Sequence, residues 1–250
     1  MTFNYELIEA GFYDKIFDSN DGIRKFWHWH KFDSVLRIID DKADPIKLLD
    51  VGCFSGSFTG RFLDEKYFHT TSIDILKTQI DYAKAHYQSE YKEFFYYENF
   101  QSAQELLAGK KFDVVTFVEV IEHLDQDQIF AFFKMIDSLT YAGSEIIITT
   151  PNYLSLWPIL EVALNVISDV KYEEQHITKF TTFNIVKKLS RIYPQFLTNY
   201  KVDIITTSHF FSPYVSLINY QWAKNISAKY RGSDWKNPFG SIVMLKLIKR

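Results

Sequence analysis

Leu48-Leu49-Asp50-Val51-Gly52-Cys53-Phe54-Ser55-Gly56-Ser57-Phe58 is the stretch from which the rest of the chain is read. An apolar run ends in an acid, Asp50, passes through Gly52 and Gly56, and opens into a segment of helical character, residues 56–65. A strand that turns into a helix over glycines is the first unit of an open α/β sheet, where ligands bind beyond the carboxyl ends of the strands. Lacking a Cβ, Gly52 and Gly56 free the turn for unusual dihedrals and let a ligand lie against bare backbone. The spacing is not the G-x-G-x-x-G of dinucleotide enzymes, and no Gly-Lys-Ser/Thr follows to cradle a phosphate. A phosphate at a helix N-terminus calls for amide donors alone. Asp50 instead puts a carboxylate at the strand end, which repels a pyrophosphate and attracts a cation or an ammonium group. The turn therefore reads as the seat of a nucleoside carrying positive charge; the plainer alternative is a buried strand with an ordinary glycine turn.

Working outward, Asp74 in Ser72-Ile73-Asp74-Ile75 closes the next apolar run, 22 positions after Gly52. An acid about 20 positions beyond such a turn accepts hydrogen bonds from ribose hydroxyls. Strands are expected at residues 46–51, 71–75, 94–97, 112–118 and 145–149, with helical segments at 77–87, 102–107 and 127–139 between them. Continuous Val/Ile/Leu runs mark strands buried on both faces, and strands alternating with helices imply a parallel, doubly wound sheet. Two late strands at 202–206 and 241–248, joined by a long mixed segment at 208–239, bring the expected total to seven. The chain is expected to form one domain, 1–250: a helical N-terminal cap at 1–41, a cofactor-binding core at 46–150, and substrate-side helical insertions with the last two strands at 151–250.

Composition narrows the function. At 47% hydrophobic and 24% charged residues, 250 residues suffice for a full core without staples. A net charge of −3 disfavours a protein held to nucleic acid by phosphate contacts. A single cysteine, Cys53, forms no internal disulfide and fits a reducing cytoplasm. The first ten residues carry Glu6 and Glu9 rather than an apolar signal core, and 153–167 is broken by Pro158 and Glu161, so no targeting or membrane-spanning segment is expected.

Leu-Leu-Asp-Val-Gly-Cys-x-x-Gly followed by Ser-Ile-Asp-Ile resembles the class I S-adenosylmethionine-dependent methyltransferases. Phe112-Asp113-Val114-Val115-Thr116-Phe117-Val118-Glu119-Val120-Ile121-Glu122-His123-Leu124 is similar to their fourth-strand motif, and Thr149-Thr150-Pro151-Asn152 to the end of their fifth strand. The resemblance covers residues 46–152 and implies the Rossmann-like methyltransferase fold, with S-adenosyl-L-methionine as cofactor. It also implies roles. Asp50, Gly52, Cys53 and Gly56 would form the turn around the methionine part, Asp74 would hold the ribose, and Ile75 would pack on the adenine. Glu98 or Asn99 would meet the adenine amino group, and Val118 and Glu119 would border the sulfonium and carboxylate. A sulfonium is drawn to carboxylates and ring faces, and this chain supplies both.

Methyl transfer needs a nucleophile held in line and often a base to deprotonate it. His123 and His176 are the candidate catalytic bases; the alternatives are a capping histidine and a loop histidine. If their segment is helical, Glu119, Glu122 and His123 share one face and could hold a divalent cation, with Asn152 or His176 completing the set. That pattern is similar to the metal sites of the small-RNA terminal 2′-O-methyltransferases and of the ubiquinone-biosynthesis O-methyltransferases. Cys53 reads as a packing residue.

The run Phe26 to Phe32 either caps the cofactor pocket or buries its rings on the sheet, with Lys31 or His30 near enough to reach the cofactor carboxylate. Residues 153–167 and 210–224 carry Trp157, Leu160, Phe210, Phe211, Tyr214, Tyr220 and Trp222. They read as a lid over an apolar cavity or a face that meets a lipid carrier, and equally as a dimer interface or extra core. The function expected is O-methylation of a small-molecule or lipid-linked acceptor, with peripheral membrane contact open. Metal-assisted RNA 2′-O-methylation and a non-catalytic cofactor-binding scaffold are the alternatives.

Overall fold

The computed structural model describes residues 8–19, 22–40, 45–155, 176–216, 218–229 and 237–250. Strands β1 (Ile46–Val51), β2 (Phe68–Asp74), β3 (Lys92–Tyr96), β4 (Val114–Val118), β5 (Glu145–Pro151), β6 (Tyr200–Ser208) and β7 (Ile242–Lys249) form one sheet in the order β3-β2-β1-β4-β5-β7-β6. Every pair from β3 across to β5 is parallel, whereas β7 runs antiparallel to both β5 and β6. All seven expected strands are present, lengthened or trimmed by a few residues. The insertion of β7 between β5 and β6 was not expected. It follows from β7 being the more apolar of the late pair: Ile242 to Leu247 are buried throughout, while β6 has exposed positions and a register shift between Val202 and Ile204. An apolar strand gains more from two neighbours than from an edge.

Alternation along the strands sends neighbouring residues to opposite faces. Leu49, Val115, Ile146, Ile148 and Leu245 pack under helices α5 (Phe100–Leu106) and α6 (Gln126–Leu139) and the helix Ile185–Ile192. Leu48, Val114, Ile147 and Met244 pack on the other face with Phe32, Val35 and Ile38 of α2 (Gly22–Ile38) and Phe58 of α3 (Ser57–Phe62). The aromatic run 26–32 thus lies on α2 and contributes Phe26 and Phe32 to the buried interior. Helix α1 (Phe12–Asp18) precedes it, and α4 (Lys77–Tyr87) joins β2 to β3. The segment 208–239, expected to be mixed, holds the helices Ser212–Ser216 and Tyr220–Lys229. Trp157 and Leu160 lie outside the described residues. No helix among the described residues is long and apolar enough to cross a membrane.

Candidate active site

The parallel topology places the ends of β1, β2, β4 and β5 along one edge, and the expected site residues collect there. Asp50, abreast of Thr116 on β4, is buried and accepts a 2.7 Å hydrogen bond from the Thr116 hydroxyl. Past it the chain turns sharply. Gly52 (φ 75°) and Gly56 (φ 74°) are left-handed, and a Cβ would fall 2.4 Å from Val120 at the first and 2.7 Å from Phe94 at the second. Neither position therefore tolerates a side chain: Val120 packs over Gly52, and Phe94 over Gly56, where a Cβ would stand.

Asp74 ends β2 with its two oxygens taking the amide protons of Phe54 (2.7 Å) and Leu76 (2.8 Å). The carboxylate is thereby locked across the glycine turn. Burial lifts the Asp50 carboxyl to about 7, with Asp74 adding to the rise, and burial lifts Asp74 to about 6 against the amides that oppose it. Two buried acids raised in this way are relieved by a positive ligand, which favours their ionised forms. Ile75, next in the chain, is 54% exposed, an apolar surface beside Asp74. Asn99 is the N-cap of α5, its side-chain oxygen accepting from the Ser102 amide. Cys53 is buried with its thiol pushed well above the usual range, the state of a packing residue and not a nucleophile.

The N-terminal helices roof this crevice. Tyr13 of α1 lies against Phe54 of the glycine turn (ring centroids 5.2 Å apart) and against His28 and Phe32 of α2. Burial, with Glu119, Glu122 and Asp74 facing it, pushes its phenol far up. Lys31 is buried with its ammonium 5.2 Å from the Tyr13 ring, and its charge pulls the Glu119 and Glu122 carboxyls down. Lys31 therefore faces the acids, whereas His30 turns the other way, against His209. Helix α1 is held in place by Arg61, which pairs with Asp14 and Asp18 at 2.8 Å each.

A second cluster stands at the ends of β4 and β5. Glu119 is left-handed (φ 57°), an unfavoured conformation for a side-chain-bearing residue, and accepts from the Thr149 hydroxyl at 3.2 Å. The segment that follows is a single 3-10 turn, Ile121–His123, so Glu119 does not share a helical face with Glu122 and His123 as expected. Tertiary structure supplies a different third member. Thr178 donates its amide to the Glu122 carbonyl and its hydroxyl to the Leu124 carbonyl, drawing the loop 176–180 against the turn. One ligand atom each from Glu122, His123 and His176 lies within 4.8 Å of the others, and the two imidazole centroids are 5.2 Å apart. Asn152 is fully buried, its amide nitrogen donating to the carbonyls of Pro238 and Gly240 and its Oδ1 accepting from the Leu154 amide, so the oxygen it would offer a cation is already engaged.

Burial, reinforced for Glu119 by its neighbour Glu122, lifts Glu119 to about 7 and Glu122 to about 8. The Glu122 Oε2 is buried without a hydrogen-bond partner among the described residues. Burial, with His123 second, pushes His176 down to about 3, so its imidazole is neutral at pH 7. Tyr153, which sequence reasoning did not single out, sets that ring with its hydroxyl 2.7 Å from Nδ1. Thr116, Thr149 and Tyr13 were missed likewise. Thr116 and Thr149 stand inside the quoted strand motifs and Tyr153 directly after the second; Tyr13 had no such signal.

Comparison with known proteins gives the same picture. A family model described as "Methyltransferase domain" matches residues 26–191. Among curated proteins, the ubiquinone biosynthesis O-methyltransferase of Rickettsia canadensis (strain McKiel) is 34% identical over 85 residues, which is 34% of this chain and 35% of that protein. The magnesium protoporphyrin IX methyltransferase of Synechocystis PCC 6803, solved with bound SAH, superposes with a TM-score of 0.60 at 14% identity, covering 95% of this chain and 93% of that one. The N-methyltransferase NodS of Bradyrhizobium japonicum WM9, also with SAH, gives 0.56 at 12% identity, covering 94% and 90%. A SAM-dependent methyltransferase of Archaeoglobus fulgidus gives 0.55 at 16%, covering 95% and 98%.

Proposed function

This chain belongs to the methyltransferase-domain family, and we propose that it uses S-adenosylmethionine to methylate a hydroxyl oxygen of a small-molecule or lipid-linked acceptor in the cytoplasm. The observation that carries the oxygen assignment is the cluster of buried Glu122 and His176 with half-buried His123 beside the crevice. A hydroxyl is a weak nucleophile until its proton is drawn away, and this cluster offers groups that take or direct a proton. The curated relative over residues of this chain is itself an O-methyltransferase. The exposed rings of Phe210, Phe211, Tyr214 and Trp222 support an acceptor with an apolar portion.

The glycine turn, the amide-locked Asp74, buried Asp50 and exposed Ile75 fit an adenosyl sulfonium. When bound, it supplies an electrophilic methyl group. The chain's own residues do the rest. Asp74 holds the ribose hydroxyls. Val118 and Glu119, at the end of β4, border the charged centre. His123 accepts the acceptor's proton, while His176, kept neutral by burial and set by Tyr153, orients the hydroxyl toward it. Tyr13 and the α1–α2 roof exclude water, which strengthens every charge interaction beneath.

A second reading, in which a divalent cation assists, is favoured by the unpartnered Glu122 Oε2. Two neutral-capable imidazoles and a carboxyl raised by burial form a donor set for Zn, Mn or Mg, and a cation would restore the carboxylate. Glu122, His123 and His176 would hold it, and it would acidify a bound hydroxyl. Binding of S-adenosylmethionine and SAH by calorimetry, followed by transfer of labelled methyl to a panel of hydroxyl and amine acceptors, tests the main reading. Label on amines alone would refute it. Activity unchanged by EDTA and by added Mg, Mn or Zn would reject the second.

A further inference from the structure

The loop 176–180 is fixed on both sides of Lys179. Thr178 ties it to the 121–124 turn through its amide and its hydroxyl. Phe180 ties it to the end of β5, bridging to Asn152 and accepting the Tyr153 amide at 3.0 Å. Lys179 stands between these two anchors, and its side chain is held in turn. Its ammonium lies 5.1 Å from the centroid of the Tyr153 ring, a contact that favours a cation over the ring face. The hydroxyl of that same ring is 2.7 Å from His176 Nδ1. One aromatic side chain therefore spans the distance from the ammonium to the reacting cluster. The charge of Lys179 is felt there, since it joins burial and His123 in disfavouring the protonated form of His176.

A second cation reaches the same loop. Lys188, on the helix Ile185–Ile192, donates its ammonium to the Lys179 carbonyl and lies 5.7 Å from the Phe180 ring. The two belong to a one-signed stretch: residues 176–201 carry Lys179, Lys187, Lys188, Arg191 and Lys201 and no acid, in a chain whose net charge is −3. The acids of the crevice lie elsewhere. Asp50 and Asp74 are at the ends of β1 and β2, and Glu119 and Glu122 follow β4. Charge is thus sorted across the site, negative beneath the glycine turn and the β4 end, positive on the loop beyond His176. Such sorting selects a ligand by its own charge and fixes which way round it enters.

We infer that the methyl acceptor carries an anionic oxygen group, a carboxylate or a phosphate, which Lys179 holds while the acceptor's hydroxyl lies at His123 and His176, with Lys188 as the second cation at that end. The inference rests on the oxygen-methylation reading above and narrows its substrate class. Tyr153 separates the two ends: the ammonium sits over its ring and the imidazole at its hydroxyl, so the anion and the methylated hydroxyl are distinct groups of the acceptor. A lysine ammonium is a compact point charge on a flexible stem, which selects negative charge without demanding the planar fork of a carboxylate. Glu119 and Glu122 repel an anion from the opposite end, so the acceptor is oriented by both signs. Lys179 is accordingly a specificity-determining residue and takes no part in moving the proton.

Calorimetry on the full chain saturated with SAH, titrated with octane-1,8-diol, 8-hydroxyoctanoate, 8-hydroxyoctyl phosphate and 8-aminooctan-1-ol, tests the inference. At least one anion should bind saturably and about fivefold tighter than the diol, the upper worth of an exposed ion pair, with the amine weakest; the tighter anion identifies the group. Lys179→Gln should erase the preference for anion over diol, Lys179→Arg should keep it, and Lys188→Gln should reduce it. Lost packing would weaken diol and anion alike, so their ratio reads the charge. Each variant should keep the wild-type affinity for SAH, which certifies its fold. Anions binding no tighter than the diol, or a preference that survives Lys179→Gln while SAH still binds, overturns the inference alone. Failure of the wild type to bind SAH overturns the underlying reading, and the inference with it.

Discussion

Substituting Gly52 by alanine tests the link between the two walls of the crevice. At φ 75° an L-residue is strained, by about 1–2 kcal/mol. The new methyl would stand 2.4 Å from Val120 Cγ2 and 3.2 Å from Cγ1, and overpacking of that kind adds about 1–3 kcal/mol. Gly52→Ala should therefore destabilise the protein by about 2–5 kcal/mol, the sum of those terms. The partner variant separates them. Val120→Ala deletes both offending methyls and leaves only the Val120 Cβ, 3.4 Å from the added atom and in ordinary contact. Alone it should cost about 1 kcal/mol for a half-buried valine. In the double variant only backbone strain and that lost packing remain, so the two changes should couple favourably by about 1–3 kcal/mol. Urea unfolding of the four proteins, read as midpoint shifts at constant slope, measures the cycle. A Gly52→Ala loss below about 0.5 kcal/mol, the size of an ordinary surface change, or an additive cycle, would refute the account of the turn.

The remaining predictions address charge and the roof. Asp74→Ala should weaken SAH about 10- to 100-fold in calorimetry, the range for hydrogen bonds to a charged group; undiminished affinity removes Asp74 from the ribose. The folded-state pKa values of Asp50 (about 7) and Asp74 (about 6) are raised above their usual value of 3.8, so the apo protein is most stable with them protonated. It should lose melting temperature as pH rises from about 4 to about 8, and Asp50→Asn should flatten that slope; an unchanged slope counts against a buried acid there. Tyr153→Phe keeps the ring but frees His176, and should lower turnover about three- to tenfold, with SAH affinity intact. Arg61→Ala releases Asp14 and Asp18, and hydrogen exchange should show α1 opening before α6; equal protection of the two would mean that Arg61 does not latch the roof.

Much of the glycine-turn edge of the sheet was legible in the letters because its determinants are local. Asp50, Gly52, Gly56 and Asp74 lie at strand ends and turns whose position follows from apolar runs and glycine placement, and the structure puts them along one edge. Ile75 stands exposed beside them for the same reason. Where an expectation depended on an assumed helix it failed: Glu119 is left-handed and the turn after it is 3-10, so the three acidic and imidazole groups do not share a face. Asn152, read as a spare ligand, has its Oδ1 taken by the Leu154 amide, and its nitrogen is held by the carbonyls of Pro238 and Gly240, some 86 and 88 positions away in the chain.

The chain's order of apolar runs, acids and glycines determined a doubly wound sheet, a glycine turn flanked by the buried acids Asp50 and Asp74, and the methyltransferase family. What it left open was decided by contacts distant along the chain. Thr178 bound to Glu122 and Leu124 brought His176 to His123, the reversal of β7 brought β6 to the working edge, and α2 sorted Lys31 toward the acids and His30 toward His209. Periodicity along a chain reports which side of one element is buried, but never which other element covers it; a cluster assembled from several elements exists only once they are packed.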